Sequence, residues 1–150
     1  MKKKIVKWIL VIFWMCIIFY FSSIDSNKST DQSRSVVNKT NIVEIYKEKA
    51  NVDSEKATSK IDRIFRKIAH GIEYFILVIL VCSLVNEYSV NLSKILLISF
   101  IICFIYSCSD EAHQLLISGR SGEIRDIIID NIGNGIGLLS YYLFKRSRLW

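Results

Sequence analysis

The sequence predicts an all-α membrane protein: four transmembrane helices with a polar cluster at the outer membrane face. Three observations carry this prediction. Apolar residues make up 51% of the 150 residues and gather into blocks instead of spreading at core-building spacing. The blocks are Ile5–Phe21, Ile68–Val85, Leu92–Ser109 and Ile127–Phe144, each close to the ~20 residues that cross about 30 Å of hydrocarbon. There is no proline, and a chain in hydrocarbon must satisfy its own backbone hydrogen bonds, which makes each block a helix. Lastly, ionisable residues crowd the ends of these blocks on one side, where a carboxylate is costly unless paired or wet. A soluble helical bundle would show a charged face on every helix, whereas Ile5–Phe21 carries only Lys7. A single domain over residues 1–150 is expected.

The first block follows Lys2-Lys3-Lys4 and so shares features with a secretory signal peptide. Trp8, Trp14 and Phe21 are bulky, and only Ser22-Ser23 offers small residues near a cleavage position. Retention as a span is expected, with the Trp residues and Tyr20 anchoring at the interfaces.

Residues 22–67 form the expected outer loop. Ser22–Arg34 is polar, Val36–Tyr46 has a weak helical pattern, and Asn51–Lys60 reads as loop. Ile61, Ile64, Phe65 and Ile68 form a stripe that starts the second helix near Asp62.

The second span opens with Arg66, Lys67, His70, Glu73 and Tyr74. His70 and Glu73 share a helix face, with Arg66 one turn earlier. The third span ends in Asp110, Glu111, His113 and Gln114. After it, Gly119-Arg120-Ser121-Gly122 makes a turn whose glycines permit close backbone approach. There Arg120 can pair with Asp110 or Glu111, or offer its planar fork to a phosphate or carboxylate. The fourth span begins with Arg125 and Asp126, and Asp126, Asp130 and Asn134 follow at four-residue steps on one stripe. Gly133 and Gly137 beside that stripe form a small-xxx-small step that lets a neighbouring helix approach.

Spans alternate in direction, so the start of the second, the end of the third and the start of the fourth share one membrane face. Basic residues at both termini (Lys2, Lys3, Lys4, Lys7, Lys145, Arg146, Arg148) put the termini in the cytoplasm by the positive-inside rule, and the cluster outside. The basic residues of the outer loop run against that rule, but the first helix usually dominates. The net charge of +6 is read as topology and contact with anionic lipid. No basic stripe or nucleic-acid motif occurs, so no nucleic-acid partner is expected. Cys16, Cys82, Cys103 and Cys108 all lie in or beside spans, where small apolar packing is the expected role.

Several roles fit these residues. The cluster can bind an amphiphile, with Arg66, Lys67, Arg120 and Arg125 meeting anionic groups and Gln114 adding hydrogen bonds. It can equally be an intramembrane enzyme on a lipid-linked substrate, drawing on His70, Glu73, Asp110, Glu111, Asp126 and Asp130 for proton transfer. A small transporter or proton relay along Asp126–Asp130 is a third reading, and a polar clasp without chemistry is a fourth. No cofactor is expected. The oxygen and imidazole groups leave a divalent cation open, but no strict zinc spacing occurs.

The chain also resembles the VanZ-like family of small bacterial membrane proteins, named for a protein associated with teicoplanin resistance. The resemblance rests on Phe19-Tyr20-Phe21-Ser22-Ser23, Arg66-Lys67-Ile68-Ala69-His70-Gly71-Ile72-Glu73-Tyr74, Ser109-Asp110-Glu111-Ala112-His113-Gln114, Gly119-Arg120-Ser121-Gly122, and Asp126 and Asp130 leading to Gly133 and Gly137. The ordered set is specific, although no single piece is. Gly71 stands where the family tends to carry an aromatic, and Ser118 replaces a common proline. The resemblance implies a multi-pass protein of the bacterial cytoplasmic membrane that affects sensitivity to glycopeptide or lipoglycopeptide antibiotics. Its implied partners are membrane lipids and a lipid-tailed glycopeptide or cell-wall lipid intermediate. It brings no established reaction.

Overall fold

A computed structural model describes residues 2–23, 54–116 and 124–147. They form α1 (Lys2–Ser22), α2 (Ser54–Val85), α3 (Leu92–Gln114) and α4 (Ile124–Ser147), with a short 3-10 turn at Asn86–Tyr88 after α2. No strand occurs among the described residues. Among the described residues, four helices are long and apolar enough to cross a membrane.

The expected spans are all present, and each helix runs past its apolar block into polar residues. The largest departure is at α2. It starts at Ser54, not near Asp62, so the expected loop Asn51–Lys60 is mostly helix. Glu55, Lys56, Ala57 and Lys60 are good helix formers, and no glycine intervenes before Gly71. Once the membrane segment supplies the nucleus, each added residue gains a hydrogen bond at little cost. A helix of 32 residues is about 48 Å long, so its first turns project beyond the hydrocarbon.

The tight turn between α2 and α3 is built locally. Ser89 takes a left-handed backbone (φ 55°) and its N–H donates to the Asn86 carbonyl at 3.4 Å. Asn91 then caps α3, its side chain accepting from the Lys94 N–H at 2.9 Å. The remaining expectations for residues 24–53, including the pattern at Val36–Tyr46, lie outside the described residues.

Helix α2 packs against each of the other three, and α3 also meets α4 and α1. Tyr74, Leu77, Val78, Val81 and Cys82 of α2 are buried together with Val11 and Ile18 of α1, Ile95 and Cys103 of α3 and Tyr141 of α4. Cys82 and Cys103 thus take the packing role expected of them. On the outside, Ile128, Ile132 and Ile136 are each more than half exposed, and so are Ile68 and Ile72. Continuous isoleucine faces of this kind belong in lipid, not water.

The α2–α4 seam rests on glycine. A Cβ at Gly133 would overlap the Gly71 carbonyl, and one at Gly137 would overlap the Val78 side chain and sit 3.0 Å from the Phe75 carbonyl. Gly71, the departure from the family pattern, therefore lies at the point of closest backbone approach.

Helix α1 is held by hydrogen bonds at several levels. The Trp14 indole donates to the Glu73 carbonyl at 2.9 Å, and the Tyr106 hydroxyl donates to the Met15 carbonyl at 2.6 Å. At the end away from the polar cluster, Lys7 pairs with Glu87 and Trp8 bonds Tyr88. Trp14→Phe and Tyr106→Phe should each lower stability by about 1 kcal/mol. The double variant should lose the sum, because the two bonds join α1 to different helices. Thermal unfolding of the detergent-purified chain checks this; unchanged midpoints would mean α1 is held by apolar contact alone.

Candidate functional site

Antiparallel packing brings the start of α2, the end of α3 and the start of α4 to one end of the bundle. Asp130 lies at the centre of this end. It is 2% exposed, and its Oδ2 accepts from the Ser107 hydroxyl of α3 at 2.9 Å. Its Oδ1 faces the His70 Nδ1 of α2 at 3.9 Å, and the same nitrogen lies 3.7 Å from the Glu73 carboxylate. These two separations exceed the roughly 2.6–3.2 Å of a formed proton-transfer contact. His70 lies between two carboxylates.

Asp110 is one helical turn after Ser107, which puts its carboxylate on the same face. It is also 2% exposed, and Gln114 of the same helix donates to it at 3.1 Å. Tyr74, fully buried, lies within electrostatic reach of both Asp110 and Asp130. Glu111 is buried beside them. On α3 the buried positions Ile95, Ser99, Cys103, Ser107 and Glu111 recur every four residues, so a single stripe carries the interior from apolar to acidic.

The basic residues stay at the rim. Lys67 pairs with Asp126 at 2.7 Å, closing α2 onto α4, and both side chains remain more than a quarter exposed. Arg66 is half-buried on α2, and Arg125 is exposed. Neither Asp110 nor Asp130 is paired with a Lys or Arg among the described residues. Arg120 and the Gly119–Gly122 turn lie outside the described residues. Among the described residues, no group of three His, Cys, Asp or Glu side chains is placed to hold a metal ion.

Several participants escaped the sequence reading. Ser107 was within its reach, since it stands three residues before Asp110 and four before Glu111. The sequence places His113 at the end of the third span but does not show its partners. It sits in the last turn of α3, stacked on Phe19 with ring centroids 4.3 Å apart, its Nε2 3.1 Å from the Ser23 hydroxyl. The end of α1 thereby forms a fourth side of the cluster, and only the tertiary packing reveals it.

A groove of about 530 Å³ lies on the outer side of the α2–α4 seam. Its walls are apolar (Ile64, Ile68, Ile72, Phe75, Ile129, Ile132 and Ile136), its floor is Gly71 and Gly133, and Lys67 stands at its polar end. From residue 64 to 75 the groove runs about 16 Å along α2, close to half the hydrocarbon thickness of about 30 Å.

The arrangement offers two chemistries side by side: a chain-length apolar slot with a cation at its mouth, and a buried pocket dominated by carboxylates. The family model described as VanZ/LLP1 matches residues 7–145. No curated protein and no solved structure matches the chain.

Proposed function

Because the chain belongs to the VanZ-like family over nearly its whole length, we propose that it is an amphiphile-binding protein of the bacterial cytoplasmic membrane. Both termini lie in the cytoplasm, and the polar cluster opens on the outer leaflet. By holding a lipid headgroup, or a lipid-tailed drug such as teicoplanin, it alters how the envelope meets lipoglycopeptide antibiotics.

The observation that carries this reading is the groove. An acyl chain needs an apolar slot about one leaflet long, and an anionic headgroup needs a cation where that slot ends. Ile64 to Phe75 on one wall, Ile129 to Ile136 on the other, and Lys67 at the mouth meet both needs.

The test uses the purified full chain in detergent, with native mass spectrometry counting retained phosphatidylglycerol and, separately, teicoplanin. Wild type should retain at least one of them. Ile68→Trp, which fills the slot, and Lys67→Glu, which reverses the charge at its mouth, should each lower retention about tenfold. Retention unchanged in both variants would overturn the groove assignment. In cells, the same variants should accumulate normally in the membrane while the teicoplanin response is lost.

The second reading, an intramembrane enzyme on a lipid-linked substrate, is favoured by one observation: His70 lies between the carboxylates of Glu73 and Asp130. Headgroup turnover by the purified chain, abolished by Glu111→Gln, would establish it.

A further inference from the structure

The buried polar pocket calls for a different partner from the one its basic rim would meet. Asp110 Oδ1, Asp130 Oδ1 and the Tyr74 hydroxyl are all inaccessible to solvent, and none has a hydrogen-bond partner among the described residues. Buried polar atoms in a folded protein are nearly always partnered, so groups like these mark a place for something the chain does not supply. In their ionised form the two orphan carboxylate oxygens accept and cannot donate. Glu73 and Glu111 add negative charge on two sides. A phosphate or carboxylate entering here would be repelled. What Asp110 and Asp130 lack among the described residues is a paired Lys or Arg, a positive charge carrying several N–H donors.

Tyr74 is the independent sign of a ligand. Its side chain is wholly buried at the centre of the bundle, within electrostatic reach of Asp110 and Asp130 and beside Ser107, yet no hydrogen bond of ordinary length and angle reaches its oxygen. Such an oxygen adds a third acceptor beside the two carboxylates. The absence of three convergent metal ligands among the described residues favours an organic cation over an ion. On the side toward solvent, His70 lies between Asp130 and Glu73, and the His70 and Glu73 side chains are 21% and 17% exposed.

We infer that the pocket walled by Glu73, Tyr74, Asp110 and Asp130 binds a primary ammonium group, the cationic end of an amphiphile headgroup. The inference rests on the amphiphile reading and narrows it. An ammonium has three N–H donors and one charge, which matches two orphan carboxylate oxygens and one orphan hydroxyl. Lys67, paired with Asp126 at 2.7 Å, stands at the rim beside the site. A quaternary trimethylammonium carries the same charge but has no N–H to give, so the site should discriminate between the two.

The full chain is purified in detergent with equal amounts of phosphatidylethanolamine, phosphatidylcholine and phosphatidylglycerol, and native mass spectrometry counts the lipid retained. The expected result is phosphatidylethanolamine retained about tenfold over phosphatidylcholine, the value of one good charge-assisted hydrogen bond. Asp130→Asn, and independently Asp110→Asn, should remove that preference while leaving phosphatidylglycerol retention unchanged. Equal retention of ethanolamine and choline lipids by wild type would overturn the ammonium assignment whatever the variants do. So would a preference that survives in either variant. If no lipid and no teicoplanin is retained at all, the amphiphile reading falls with it, whereas phosphatidylglycerol retained without an ethanolamine preference overturns the ammonium site alone. Adding millimolar ethanolamine separates the sources. Displacement of phosphatidylethanolamine supports the site as one for any primary amine, and persistence supports it as one for the lipid.

Discussion

Gly133→Ala is expected to cost about 3 kcal/mol, at the upper end of what overpacking usually costs, and Gly133→Leu should abolish accumulation in the membrane. The added Cβ would overlap the Gly71 carbonyl oxygen, and its next contacts are the Gly71 carbonyl carbon and Cα, at 3.0 and 3.1 Å. All three are backbone atoms, which no rotamer change can move aside, so two helices must separate along their seam. The same seam predicts unequal effects at the other glycines. Gly71→Ala would bring its Cβ only to ordinary contact with Ile129, at 3.9 Å, and should be nearly neutral. Gly135→Ala meets nothing within 4 Å and should stabilise by up to about 1 kcal/mol through helix propensity. Gly137→Ala falls between, because its closest contact is the Val78 side chain, which can yield, while the Phe75 carbonyl at 3.0 Å cannot. Thermal unfolding of the four purified variants tests the order. A Gly71 variant as damaging as the Gly133 variant would show that the seam is placed differently.

The second large effect is expected at Asp130, with an unusual sign. Asp130→Asn should raise stability by about 1–2 kcal/mol while abolishing the preference for phosphatidylethanolamine. Its carboxylate is buried beside Asp110 without a paired Lys or Arg among the described residues, an arrangement that costs free energy. Asparagine keeps an oxygen for the Ser107 hydroxyl and turns the orphan Oδ1 position into a donor among acceptors, gaining about one hydrogen bond. Asp130→Ala removes the partner of Ser107 and should be less stable than Asp130→Asn. A structural clasp predicts the opposite for Asp130→Asn, a loss of stability with no separate loss of binding. Chemical or thermal unfolding alongside the lipid count decides between them. A gain in stability bought by a loss of function is the mark of a binding site held at a cost.

Much of the arrangement was legible in the chain. Apolar runs announce spans because the bilayer sets a minimum length, and alternation of spans then places Arg66–Tyr74, Asp110–Gln114 and Arg125–Asp130 at one end. The four-residue spacing put Asp126, Asp130 and Asn134 on one stripe facing the bundle; Asp130 and Asn134 are buried, whereas Asp126 stays part-exposed in its pair with Lys67. Local spacing could not show that His113 would stack on Phe19, ninety-odd positions away in the chain, because such contacts depend on how helices rotate about their axes. Nor could it show that α2 would extend back to Ser54, where propensity alone is a weak signal until a packed helix lies next to it.

Residue type and periodicity were thus sufficient for the four spans among the described residues and their order, because hydrocarbon imposes length and hydrogen-bonding rules that act on each segment separately. Which of the polar residues find partners was decided only by the packing. The Gly71–Gly133 contact sets how closely α2 and α4 approach, and that approach sends Lys67 to Asp126 at the rim while Asp110 and Asp130 stay in the interior without a paired Lys or Arg among the described residues. Charge pairing falls off over a few ångströms, and distances of that size belong to the tertiary structure.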